Sequence, residues 1–277
     1  MSTATITLAS SARELHVARQ QARLRAHAAE VLRIVVWLDP DPAPHDFDGA
    51  MLVHVPPHPH GLRLAAGRNA GVAAAIAAGC DRLVLLDADC VPGDALLPRY
   101  EQAMRLRADG LHAGPVTYLP EGVVVEVDTD LGPLTAPHAA RPSPPDGDLV
   151  EATPAQQVLF WSLSFAATAD AWSRIGGFDE GYVGYGGEDT DFAMRAASAG
   201  VPLVWVGGAH AYHQHHPTSA PPWQHLDDIL RNGRRYAERW GTWPMEGWLR
   251  AFSEAGAIVE VDGDWHRVDA APASTRP

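Results

Sequence analysis

Leu83-Val84-Leu85-Leu86-Asp87-Ala88-Asp89 decides how this chain is read. Four consecutive aliphatic residues suit a strand buried on both faces, as in a parallel sheet, and the run stops at two carboxylates one residue apart. Open α/β sheets bind ligands at the carboxyl ends of their strands. In extended backbone, side chains two residues apart point the same way, so Asp87 and Asp89 can converge on one point. Two such charges repel by about 4 kcal/mol at about 4 Å in an effective dielectric near about 20. A hard divalent cation relieves that repulsion and keeps positions open for phosphate oxygens. The same residues, followed by Val91-Pro92-Gly93-Asp94, also suit a plain strand-to-helix loop with capping acids.

Outward from this strand, the N-terminal part alternates strand and helix patterns. Residues 5–9 read as a strand, 12–29 as a helix with Leu15, Ala18 and Ala22 on its apolar face, and 32–38 and 51–55 as further strands. Residues 69–78 form an Ala-rich helix closed by Gly79. This order predicts a mostly parallel sheet with right-handed crossovers. Beyond a helix over 94–106, residues 114–118, 123–127 and 158–166 read as β segments, and 203–206 as a further strand. Residues 128–148 are rich in Pro, Gly and acids and read as a long loop over the site. A helix over 223–240 and a hairpin over 257–268, turning at Asp262-Gly263, follow a Pro-rich stretch over 217–222.

Composition narrows the chemistry. The chain has 277 residues, 46% hydrophobic and 20% charged, as in an ordinary globular protein. A net charge of −13 argues against nucleic acid or an anionic membrane as the main partner. All 21 basic residues are Arg, so Schiff-base, pyridoxal and phosphate-loop chemistry, which need a lysine amine, are excluded. Two cysteines, Cys80 and Cys90, fit a fold without disulfides. No basic-then-apolar leader and no run of about 18 apolar residues is present, so the expectation is a cytoplasmic protein with no membrane span.

A second acidic cluster, Gly186-Gly187-Glu188-Asp189-Thr190-Asp191, opens the helical segment 192–199. Acids in a first helical turn complement the dipole, which is their structural use. Asp191 has Arg195 four residues on and reads as a helix-surface ion pair. Glu188 and Asp189 follow two glycines that let a substrate approach the backbone, and are the better chemical candidates. His210, His213, His215 and His216 follow the 203–206 strand and suggest metal or anion binding. A structural zinc site is a poor alternative, because both cysteines are remote from them.

Arg68-Asn69-Ala70-Gly71, Asp87-Ala88-Asp89, Gly176-Gly177-Phe178-Asp179-Glu180 and Gly186-Gly187-Glu188-Asp189-Thr190-Asp191-Phe192 occur in the order found in family-two glycosyltransferases. Over residues 5–216 the chain resembles that family and its GT-A-fold relatives, and the Gly-Gly-Glu-Asp element resembles the galactosyltransferase-related branch. The resemblance implies an α/β GT-A fold, a Rossmann-like nucleotide-diphospho-sugar transferase with a mixed, mainly parallel sheet flanked by helices. It implies a catalytic domain over 1–216, with a helical and β-hairpin extension over 217–277 packed on it. The implied activity is metal-dependent, inverting transfer of a sugar from a nucleoside-diphosphate sugar, a UDP-sugar by family habit, to an acceptor hydroxyl.

Site roles follow from the same resemblance. Asp39 matches the acid that contacts base or ribose, although Asp39-Pro40-Asp41 stands where relatives have Asp-Asp-Gly-Ser. Arg68, Ala88 and Gly187 fall at nucleotide-sugar positions, and Asp87 faces ribose and metal. Asp89 ligates Mn²⁺ or Mg²⁺ with Asp87, and His213 completes the shell, with His215 next in line. Asp189 is the base, and Glu188 holds acceptor or sugar. Trp161, Asp179 and Tyr185 shape the sugar pocket. Two other classes stay open: a nucleotidyltransferase, disfavoured because Leu8-Ala9-Ser10-Ser11-Ala12-Arg13 lacks glycines, and a non-catalytic nucleotide-sugar or glycan-binding module. Monomer and homodimer both stay open.

Overall fold

The computed structural model describes residues 2–268. Its strands are β1 (Thr3–Ala9), β2 (Leu32–Trp37), β3 (Met51–His54), β4 (Arg82–Leu86), β5 (Cys90–Pro92), β6 (Leu111–Ala113), β7 (Val116–Tyr118), β8 (Leu149–Glu151), β9 (Ser164–Thr168), β10 (Leu203–Val206), β11 (Ala211–His213), β12 (Ile258–Val261) and β13 (Asp264–Arg267). Its helices are α1 (Glu14–His27), α2 (Leu64–Ala77), α3 (Leu96–Leu106), α4 (Ala169–Ile175), α5 (Glu188–Ser198), α6 (Leu226–Trp240) and α7 (Glu246–Glu254).

Eight strands form one mixed sheet in the order β3-β2-β1-β4-β9-β6-β10-β8. The β3-β2-β1-β4 half is parallel, and β9 and β8 run antiparallel to their neighbours. The aliphatic runs of β1, β2 and β4 are buried because helices cover both faces. Helix α2 lies close against the sheet: a Cβ at Gly71 would collide with Ile6 and Val36. Arg68, one turn earlier on the same face, is thereby carried into the molecule.

A second sheet, in the order β5-β11-β7, starts directly after the Asp87–Asp89 turn. In its antiparallel β5–β11 pair, His213 lies opposite Cys90. That register brings the histidine run beside Asp89.

Several expected elements differ. The buried residues of α1 are Val17, Gln20, Gln21, Arg23 and Leu24, whereas Leu15 is 71% exposed. The helix turns a polar face inward because Gln20 donates to the Asp87 and Cys90 carbonyls at 2.8 and 2.7 Å, and Arg23 donates to the Pro92 carbonyl at 3.1 Å. Helix α2 begins at Leu64, so Arg68 and Asn69 sit inside it. Residues 123–127 form no strand, since no neighbouring strand pairs with them, although Val125 is buried. Strand β9 begins only at Ser164 because Pro154–Leu159 winds into a 3₁₀ turn, where Gln156 Oε1 accepts from the Thr153 N–H at 2.9 Å.

Helices α6 and α7 and the β12–β13 hairpin share a small apolar cluster built on Ile229, Leu249, Phe252 and Ile258. Helix α6 meets the rest of the chain through Asn232, which donates to the Val183 and Tyr185 carbonyls at 3.0 and 3.1 Å, and through ions. Arg235 and Arg239 both donate to Asp179, at 2.8 and 2.7 Å. Asp191, read from the sequence as a helix-surface partner of Arg195, is instead fully buried. It accepts from Arg239 at 2.7 Å and Trp240 Nε1 at 3.0 Å, while Arg195 is 3.8 Å away and donates to the Gly177 and Ile175 carbonyls. Asp191→Ala is expected to lower stability by about 2–3 kcal/mol, the range for losing hydrogen bonds to a buried charge, as measured by urea denaturation. An unchanged midpoint would refute the bracing role.

Candidate active site

The Asp87-Ala88-Asp89 turn is held by backbone contacts. The Asp87 N–H donates to the Leu163 carbonyl at 2.9 Å, the Cys90 N–H to the Asp87 carbonyl at 3.0 Å, and the Gln214 N–H to the Asp89 carbonyl at 2.7 Å. Ala88 packs against the apolar cluster of Ala9, Val17 and Trp37. The two carboxylates then face different partners.

Asp87 turns to Arg68. The guanidinium, 4% exposed, donates to Asp87 Oδ1 at 3.3 Å and to Glu188 Oε1 at 3.1 Å, with Phe178 5.0 Å beneath it. One buried cation therefore joins the two acidic motifs. Burial pushes the Asp87 carboxyl up to about 6, with the Arg68 charge pulling the other way.

Asp89 turns to the histidines. His213 Nε2 lies 3.5 Å and His216 Nε2 3.2 Å from its carboxylate, and Arg13 Nε is 3.5 Å away. Burial works against the Asp89 charge, but the His216 bond and the His213 and Arg13 charges hold the carboxyl below its usual range. Among the described residues, Asp89, His213 and His216 are the one group whose possible ligand atoms all lie within 4.8 Å of one another. One carboxylate and two imidazoles are a donor set for a borderline divalent ion. His215 is exposed and His210 lies by Asp146 at 3.8 Å, so neither joins this group. Tyr118 stacks on the His213 ring at 4.5 Å and fixes its plane.

At the start of α5, Gly187 has φ of +88° and a Cβ there would press on Tyr182 at 3.2 Å, so glycine suits the position twice over. Asp189 Oδ1 accepts from the Thr190 N–H at 2.7 Å. Burial, and then the neighbouring Glu188 charge, push its carboxyl up to about 7, against the pull of Arg68 and the Thr190 N–H. Asp189 has no ion pair within 4 Å among the described residues, unlike Glu188. This is the electrostatic setting of a general base.

The remaining candidates have partners of their own. Asp39, at the end of β2, accepts from the Ser11 N–H at 2.7 Å beside the end of β1. Trp161 is half-buried, with His138 of the 119–148 connection at 5.2 Å. Asp179 braces α6, and Tyr185 stacks on His225 at 4.4 Å and packs with the C-terminal cluster. A groove of about 380 Å³ lined by His54, Arg63, Asn69 and Glu180 opens beside α2, and none of the acids of the two motifs lines it. Arg13, Gln20, Tyr118 and His216 were not singled out for these roles by sequence reasoning. Only His216 carried a signal, as a member of the histidine run.

The eight-stranded mixed sheet, with the Asp-x-Asp turn ending a central parallel strand, has the GT-A fold. Within that class, residues 159–217 match the family described as the N-terminal domain of galactosyltransferase. The chain is 40% identical over 45 residues to validoxylamine A glucosyltransferase of Streptomyces hygroscopicus subsp. jinggangensis (strain 5008), 16% of this chain and 11% of that relative. The chain thus spans about a tenth of the length of the curated relatives it matches. Its fold is similar to that of GalNAc-T7, crystallised with UDP, GalNAc and Mn²⁺, with a TM-score of 0.57 and 15% identity over 92% of this chain and 51% of that one. It is also similar to S. aureus TarS 1–349 in complex with UDP, with a TM-score of 0.58 and 13% identity over 93% of this chain and 71% of that one. No described helix is long and apolar enough to cross a membrane.

Proposed function

We propose that this protein is a metal-dependent, inverting glycosyltransferase that moves a sugar from a UDP-sugar to an acceptor hydroxyl. The observation that carries this reading is Arg68, buried between Asp87 and Glu188, which couples the Asp-x-Asp turn to the helix bearing Asp189. The UDP in the two structural relatives and the glucosyltransferase relative support the donor class.

Asp89, His213 and His216 would hold the ion, and Mn²⁺ suits two imidazoles better than Mg²⁺ does. When bound, the ion would supply Lewis-acid stabilisation of the departing diphosphate. The protein's own groups do the rest. Asp39, at the edge of β2, receives base or ribose. Arg68 offsets one of the two charges on Asp87 and Glu188, which lessens the repulsion that a third acid beside them adds against an anionic donor. Glu188, fixed by that guanidinium, positions sugar or acceptor. Asp189, free of an ion pair, takes the proton from the attacking hydroxyl at its Oδ atoms. Attack opposite the leaving group in a single displacement inverts the anomeric centre.

Screening UDP-, GDP- and dTDP-sugars for hydrolysis and thermal stabilisation, with and without Mn²⁺, tests the donor class. Stabilisation by a UDP-sugar only when Mn²⁺ is present is the expected result, and none with any nucleotide sugar would end this reading. Proton NMR of the first-formed product is expected to reveal an anomeric configuration opposite to the donor's. A retained configuration would remove Asp189 as the base of a single displacement.

A further inference from the structure

Arg141 belongs to the connection between β7 and β8 and takes no part in the site described above. It is 5% exposed, and its Nε, Nη1 and Nη2 atoms are inaccessible to solvent and without a hydrogen-bond partner among the described residues. The guanidinium lies 5.6 Å from the centre of the Trp161 ring and 5.4 Å from that of Trp205. The Trp205 indole N–H, in a side chain with no solvent exposure, is also without an acceptor. Two adjoining groups that can only donate thus lack any acceptor. Each unmet donor costs free energy, and an uncompensated buried cation costs more, well beyond what two aromatic faces return. Losing the proton is not an escape open to a guanidinium.

The surroundings give this cation a direction. His138, one turn earlier, touches both Tyr118, which stacks on His213, and Trp161. Arg141 therefore sits beside the row of rings that runs from the Asp89–His213–His216 group through Tyr118 and His138 to Trp161. Its charge is within electrostatic reach of Cys90, beside Asp89, and of Asp189. Of the two flanking rings, Trp205 is sealed in the sheet and Trp161 meets solvent, so the Trp161 side is the way in for a ligand.

We infer that Arg141, with the Trp205 N–H, forms an oxyanion receptor that takes a negatively charged group of the nucleotide sugar. The oxyanion is either the diphosphate or a carboxylate on the transferred sugar. The inference rests on the nucleotide-sugar reading of the site and deepens it by naming what completes the pocket.

Calorimetry and thermal unfolding of wild type and Arg141→Met, each with UDP, UDP-glucose and UDP-glucuronate in Mn²⁺, test it. Methionine keeps the bulk and removes the unmet charge, so the ligand-free variant is expected to melt no lower than wild type. Affinity is expected to fall by about 30-fold or more, the lower bound for truncating one side of a buried charge pair. A loss with all three ligands identifies the diphosphate. A loss confined to UDP-glucuronate identifies a sugar carboxylate. Equal affinity of variant and wild type for every ligand overturns the receptor, whatever the melting temperature, and makes Arg141 an anchor of the loop. Should methionine not fold, Arg141→Gln is read in the same way. Wild type that binds none of the three removes the nucleotide-sugar reading itself, and the receptor with it.

Discussion

Replacing Asp189 with asparagine is expected to cut turnover by about 10²–10⁴-fold, the usual worth of a general base, while donor affinity is retained. Asparagine keeps an oxygen for the Thr190 N–H, so the start of α5 should hold its geometry and only the proton acceptor is lost. Two further consequences follow from a carboxyl pushed up to about 7 by burial and Glu188. A base works only when ionised, so kcat/KM of wild type should fall about tenfold per pH unit below about 7. Between about pH 4 and 7 the folded protein keeps a proton on Asp189 that the unfolded chain has released. Stability then declines as pH rises through that window. Asp189→Asn removes the buried charge and should melt higher than wild type at pH 8, with the gap closing towards pH 4. Unchanged turnover in the variant, or a flat rate profile between pH 5.5 and 8, would strip Asp189 of its role.

Asp89→Ala is expected to abolish the Mn²⁺-dependent part of UDP binding in calorimetry. The carboxylate is the only anionic member of the group it forms with His213 and His216, and it faces Arg13 at 3.5 Å. Without it, a divalent ion would meet two neutral imidazoles and an unopposed guanidinium. At about 4 Å and an effective dielectric near about 20, such a repulsion scales to several kcal/mol. The fold should survive, because the backbone of the turn, not its side chains, makes the bonds to Leu163 and Gln214. Asp87→Ala is the informative companion. If Asp87 also ligates the ion, it loses Mn²⁺ dependence too; if its partner is Arg68 alone, Mn²⁺ affinity stays while the Arg68–Glu188 pair loosens. Undiminished Mn²⁺-dependent affinity in Asp89→Ala would move the metal site elsewhere.

Much of this architecture is legible along the chain because burial on both faces demands unbroken apolar runs. Leu83–Leu86 could only be a central strand, and the acids that follow it then lie at a carboxyl end. Helix α1 defeated the same reasoning. Its inward face includes Gln20 and Arg23 rather than Leu15, because it covers a turn whose carbonyls take further donors, and an amide or guanidinium supplies those where leucine cannot. The valines at 123–125 have strand propensity, but a strand exists only where a neighbour offers hydrogen bonds.

Sequence alone determined the α/β class, the two acidic motifs and the histidine run, since these depend on residue type and short-range spacing. Only the tertiary structure decided that Arg68 unites the two motifs, that Asp191 answers Arg239 on a helix 48 residues away, that His216 rather than His215 joins Asp89, and that Arg141 is buried without an acceptor. The physical reason is common to all four. A charge or imidazole can find several partners of the right type along a chain, and distance, burial and backbone register in the folded state select among them.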